Sequence, residues 1–226
     1  KPAKVSVLIV DGLRFPHDVA GSKKLFSNWS THIQAGVTLV CGGEDSGKST
    51  LLRLLAGELT AKEGDLSVNG ISLHEQPQRY KQAIFWANPR NDTFDQLTLT
   101  AYFESQKRNY APFDNALLAD LIEGLSLTDH LHKNIYMMSA GSKRKVWLAA
   151  AFASGAAVTL IDEPFAALDM ASIRFISELL ADAAQHSSRA WVIADYEVPA
   201  GLLLAEVIDL DTNASNSSSG NGRPNR

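Results

Sequence analysis

Residues 42–50 read Gly-Gly-Glu-Asp-Ser-Gly-Lys-Ser-Thr, between the apolar runs VTLVC (37–41) and LLRLLAG (51–57). From Gly42 to Ser49 the spacing is Gly-x-x-x-x-Gly-Lys-Ser/Thr, after a buried strand and before a helix. Such a loop suits a polyphosphate. Gly42, Gly43 and Gly47 let backbone N–H groups come close to an anion, and the amides of Glu44, Asp45 and Ser46 complete the wrap. The acidic side chains of Glu44 and Asp45 are expected to face solvent. A helix starting near Lys48 adds the partial positive charge of its N-terminus. Lys48 is placed to reach the β- and γ-phosphates as a point charge. Ser49 offers its hydroxyl to Mg²⁺, and Thr50 lies toward the α-phosphate.

A phosphate cradle alone leaves kinases, GTPases and many ATPases open. The stretch VTLIDEP (158–164) narrows the field, because an apolar strand ends there in two carboxyl groups. Asp162 can hold Mg²⁺ through water beside Ser49, and Glu163 can orient and polarise an attacking water. Two adjacent carboxylates at such a strand end are costly unless a cation or hydrogen bonds satisfy them.

Several elements must position these groups. Short apolar runs at 4–10, 37–41, 83–87, 157–161 and 190–194 read as strands, and 206–210 closes the sheet. Asn69-Gly70 between alternating runs marks a hairpin. From Thr98 to Leu131 the pattern is helical with breaks at Pro112 and Gly124, and a helix is expected around 171–186. Strands alternating with helices give an α/β fold with a mostly parallel sheet. The hairpin adds an antiparallel part, and the helical run from about 90 to 150 reads as an inserted lobe.

The stretch MSAGSKRKVWLAAAFASGAAVTLIDEPFAALD (138–169) resembles the signature-to-D-loop region of ABC-type ATPases. The resemblance covers roughly residues 3–210, in motif order and spacing. It implies a P-loop NTPase of ABC type with ATP and Mg²⁺ as cofactors. By this resemblance, Met138–Ser142 form the signature loop, ahead of a helix starting near Ser142. Ser139 and Gly141, with Ala140 and Ser142, would touch the γ-phosphate held by an opposite subunit. The resemblance therefore implies a homodimer or heterodimer formed on ATP. Leu168 and Asp169 match the D-loop at the dimer seam, and Phe15 matches the aromatic that stacks on adenine. Asn88 stands where the family has a Gln that approaches Mg²⁺ and the water. Asp195 stands where the family has a switch histidine, followed by Tyr196. None of the six histidines falls there. A carboxylate beside a γ-phosphate repels it unless protonated or paired. Slow hydrolysis is therefore expected.

Composition sets further limits. The net charge of −4 gives no positive field for nucleic acid. The run Lys143, Arg144, Lys145 reads as a solvated helix face. The single cysteine, Cys41, excludes an internal disulfide and a cysteine-built zinc site. The longest apolar stretch, 147–161, is broken at Ser154 and Gly155 and falls short of the ~20 residues that span a bilayer. The resemblance thus implies the ATPase subunit of a transporter whose membrane-spanning part is a separate chain. Its place would be cytoplasmic, on the inner face of the cell membrane, with residues 89–104 bordering the docking surface. A nucleotide-gated regulatory clamp with weakened hydrolysis is the alternative. A GTPase would carry Asn-Lys-x-Asp, which is absent. Residues 211–226 are polar and Gly/Ser-rich and read as a disordered tail after a domain ending near 210.

Overall fold

Strand β3 (Gly36–Cys41) is buried at every residue but its last, which suits a strand covered on both faces. The same holds for β7 (Val158–Asp162), and β8 (Ala190–Ala194) is buried throughout. The computed structural model describes residues 5–15, 26–88, 90–197 and 199–212. With β6 (Ile84–Ala87) and β9 (Glu206–Asp209), these strands form a five-stranded sheet in the order β6-β7-β8-β3-β9. Every pairing in it is parallel. Ala194 faces both Val40 of β3 and Asp162 of β7, so the three strands finish level at one edge. Open parallel sheets bind ligands at that edge.

The period of two along each strand sends side chains to two cores. Val37, Leu39, Ile161, Trp191 and Ile193 enter one, and Val40, Val158, Leu160 and Val192 enter the other. The first core is covered by α3 (Leu99–Asn109), α4 (Asn115–Gly124), α5 (Ala140–Ala153) and α6 (Met170–Ala184). From Val146 to Ala153 every residue of α5 is buried, so this part of the helix is enclosed on all sides. The breaks between helices fall where Pro112 and Gly124 were expected to place them.

The second core is filled by Leu51, Leu52, Leu54 and Leu55 of α1 (Lys48–Leu55). Beyond α1 lies an antiparallel sheet of β1 (Ser6–Phe15), β2 (Phe26–Gln34), β4 (Glu63–Val68) and β5 (Ile71–Ser72), in the order β2-β1-β4-β5. The expected hairpin joins β4 to β5, with Asn69 and Gly70 both at positive φ. The α/β architecture with an antiparallel sheet and added helices is thus present. The tail was expected to start at 211, but Asp211 and Thr212 are ordered, with both amides donating to Asp209 Oδ1; the rest, 213–226, lies outside the described residues.

Helix α2 (Pro77–Gln82) starts on the proline that favours a first helical turn. Its Tyr80 is fully buried, and the hydroxyl donates to the Leu55 carbonyl at 2.7 Å. That bond ties α2 to the end of the helix leaving the phosphate loop. Tyr80→Phe leaves the Leu55 carbonyl short of a buried donor, and the expected loss is about 1–2 kcal/mol of unfolding free energy by urea titration.

Candidate functional site

The loop after β3 turns into α1 through Gly47, whose φ of 95° is left-handed and disfavours a side chain. No side chain caps α1, so its first amides remain available to an anion. Glu44 and Asp45 are exposed, as expected. Lys48 is buried to 7% exposure, and its Nζ donates to the carbonyls of Gly42 at 2.7 Å and Gly43 at 2.8 Å. The same ammonium lies 4.0 Å from the centre of the Tyr196 ring. Ser46 Oγ is buried without a hydrogen-bond partner. Ser49 and Thr50 lie in the first turn of α1, and Ser49 Oγ donates to Asp162 Oδ2 at 2.6 Å.

That last contact joins two candidate metal ligands from residues 113 apart in sequence. A hydroxyl and a carboxyl at one point are a small donor set. Among the described residues no three His, Cys, Asp or Glu side chains cluster as a metal cage. The set fits Mg²⁺, which is held by one or two protein oxygens and otherwise by phosphate and water. Asn88 follows β6, and its Oδ1 accepts from the Arg90 amide at 3.0 Å. The Asn88 oxygen is therefore engaged in its own turn. Asn88 also lines a 230 Å³ cavity with Trp86, Asn91, Tyr102 and Trp147.

Glu163 sits at φ 48°, an uncommon backbone for a non-glycine residue. Its position is fixed from two sides. Its amide donates to the Ala194 carbonyl at 2.8 Å, and Arg144 Nη1 donates to the carbonyls of Asp162, at 2.9 Å, and Glu163. This corrects the expectation of a solvated basic face at 143–145. Lys143 pairs with Asp95 at 3.0 Å, and Lys145 with Asp169 at 2.6 Å. The hydrogen bond from Lys145, with the Ser172 amide, holds the Asp169 carboxyl well below the usual carboxylate range. Burial pulls Arg144 down from its ordinary value, while the charges of Glu163, Asp162 and Asp195 oppose that pull. Sequence alone missed Arg144 because a basic run on a helix looks the same whether it faces water or backbone carbonyls.

The helix expected near Ser142 starts at Ala140 instead. Ser139 is its cap: its backbone is extended, and its Oγ accepts from the Ser142 amide at 3.2 Å. Gly141 therefore lies in the first helical turn, where a Cβ would collide with the Ala167 carbonyl oxygen. The tight approach of the turn before α6 dictates glycine at that position. Ser139 and Ala140 are exposed. Phe15 ends β1, paired with Phe26, and is partly buried against the second core.

Asp195 follows β8, with its amide donating to the Val40 carbonyl at 3.1 Å. Burial pushes its carboxyl above the ordinary value, against the Tyr196 amide and Lys48. Asp211 was also missed. Its Oδ2 accepts from the Gly43 amide at 2.9 Å, which ties the stretch after β9 to the phosphate loop. The only signal for it was an acidic residue two positions beyond the last strand.

Comparison with known proteins decides the family. Residues 26–166, more than half of the chain, match the family model described as ABC transporter. The chain belongs to the ABC transporter family. As an ABC-type chain it carries the ATP-binding ATPase domain of that family. It is 26% identical to the cytochrome c biogenesis ATP-binding export protein CcmA of Albidiferax ferrireducens, over 84% of this chain and 91% of that protein. It is 28% identical to the taurine import ATP-binding protein TauB of Ruegeria pomeroyi, over 86% of this chain and 72% of that protein. A solved ATP-binding subunit of an ABC transporter superposes with a TM-score of 0.73 at 20% identity, covering 84% of this chain and 79% of that one. This last likeness speaks to fold alone. Among the described residues no helix of this ABC-type chain is long and apolar enough to cross a membrane.

Arg144→Met keeps most of the side-chain volume and removes the donor. The expected loss, for hydrogen bonds made by a charged group, is about 2 kcal/mol in urea unfolding.

Proposed function

We propose that this chain binds ATP with Mg²⁺ at Gly42–Thr50 and closes as a dimer on two nucleotides. It then drives a membrane transporter whose spanning part is a separate chain, and it hydrolyses ATP slowly. The observation that carries the reading is the meeting of Ser49 and Asp162 at 2.6 Å, beside the loop that holds Lys48. In that reading the amides of Glu44–Thr50 and the Lys48 ammonium bind the phosphates, while the Gly43 amide stays on Asp211. Ser49 and Asp162 hold Mg²⁺, whose charge offsets the negative charge developing on the phosphate oxygens. Glu163 takes up the proton of the attacking water, with Asn88 beside it. Ser139, Ala140, Gly141 and Ser142 meet the other subunit's γ-phosphate; the exposure of Ser139 and Ala140 supports this role. Phe15 stacks on adenine. The chain would work on the cytoplasmic face of the membrane, with residues 89–104 toward the partner. One relative is named for export and another for import, so the proposal commits to neither direction.

Slow hydrolysis rests on Asp195. A half-buried carboxyl where a histidine would donate to the γ-phosphate supplies no stabilising contact to the transition state. Single-turnover hydrolysis by Asp195→His should rise about 10²–10³-fold over wild type. A wild-type rate equal to ordinary transport ATPases, with no gain from histidine, would reject slow hydrolysis. Asp195 also favours the second reading, a regulatory clamp that closes on ATP without powering transport. ATPase activity stimulated by a copurifying integral membrane protein separates transport from the clamp.

Dimer formation has its own test. Glu163→Gln should trap nucleotide, so light scattering should give a dimer mass with Mg·ATP and a monomer mass without it. A monomer under both conditions would remove the dimer from the proposal.

A further inference from the structure

Lys48 has three N–H donors and no acceptor. Two of them go to the Gly42 and Gly43 carbonyls, and the Tyr196 ring centre lies 4.0 Å from Nζ. Two carbonyls and the aromatic face are thereby on the ammonium before any nucleotide arrives. A β- or γ-phosphate oxygen must come within hydrogen-bond distance of the same nitrogen, at ~2.7–2.9 Å. An aromatic ring on the ammonium and a phosphate oxygen on the ammonium therefore compete.

Tyr196 is built to move. The residue is 54% exposed and belongs to neither core. Its backbone is held instead: the Tyr196 amide donates to Asp195 Oδ1 at 2.7 Å, and the Asp195 amide is tied to β3. The backbone is fixed while the side chain is anchored by its contact with the lysine.

We propose that Tyr196 is a positioning residue of the nucleotide site: its ring holds the Lys48 ammonium in a closed cradle, and an arriving di- or triphosphate must displace it. This rests on the reading of Gly42–Thr50 as an ATP site. The residue after Asp195 thus sets nucleotide affinity, in a chain that lacks the switch histidine.

The experiment is calorimetric titration of the full chain with Mg·ATP, Mg·ADP and adenosine, for wild type, Tyr196→Ala and Tyr196→Phe. Loss of the ring should tighten both nucleotides about three- to tenfold, the range of a cation–π contact at a partly exposed site. Adenosine, which has no phosphate, should bind all three proteins alike. Tyr196→Phe keeps the aromatic face and should match wild type. In nucleotide-free protein, acetic anhydride should label Lys48 faster in Tyr196→Ala than in wild type, read by mass spectrometry. If wild type binds Mg·ATP and Tyr196→Ala binds it equally or more weakly, the gate is overturned while the ATP site stands. Tightening by Tyr196→Phe equal to that by Tyr196→Ala also overturns it, because the ring would not be the holding group. Absence of Mg·ATP binding in both wild type and Tyr196→Ala would instead overturn the ATP site and the gate with it.

Discussion

A positive charge with no acceptor of its own has to be housed at the edge of an apolar sheet. Burying the Lys48 ammonium would be costly if it were left unpaired. The carbonyls of Gly42 and Gly43 turn inward to meet it, and they can do so because β3 stops at Cys41 and the chain reverses before α1. The rest of the molecule makes this arrangement rigid. The leucines of α1 are packed between two sheets, so the helix cannot shift without opening a core.

The strand order does the second part of the work. With β3 and β7 on either side of β8, the ends of three strands converge, and residues distant in sequence become neighbours. Asp162 reaches Ser49 in this way, and Asp195 and Tyr196 come to lie over the loop. The left-handed turn at Glu163 is, with Asp45 and Ala167, one of the strained points near this edge, and strain of that kind persists only where surroundings over-determine it. Here the Ala194 carbonyl and the Arg144 guanidinium do so.

Much of this was legible in residue order. The loop from Gly42 to Thr50, the carboxyl pair after 161, and the buried strands are local patterns with local causes. The alternation of strands and helices pointed to a parallel sheet for the same reason. What could not be read was long-range. Arg144 looked like one of three solvated charges because periodicity places it on a helix face and says nothing about what lies opposite. The start of α5 was set two residues late because the cap at Ser139 depends on a backbone angle. Tyr196 carried no pattern at all: its contact with Lys48 exists only once β8 and β3 lie side by side.

The hydrogen bond from Gly43 to the Asp211 carboxyl has a consequence for where this domain can be cut. A truncation placed just after the last strand, at residue 210, would keep the whole sheet and both cores. It would still free the amide next to the first glycine of the loop and leave β9 without the turn in which Asp209 accepts from the amides of Asp211 and Thr212. The smallest fragment that retains an intact phosphate loop therefore extends at least to Thr212, past the point where hydrophobic pattern alone would end it.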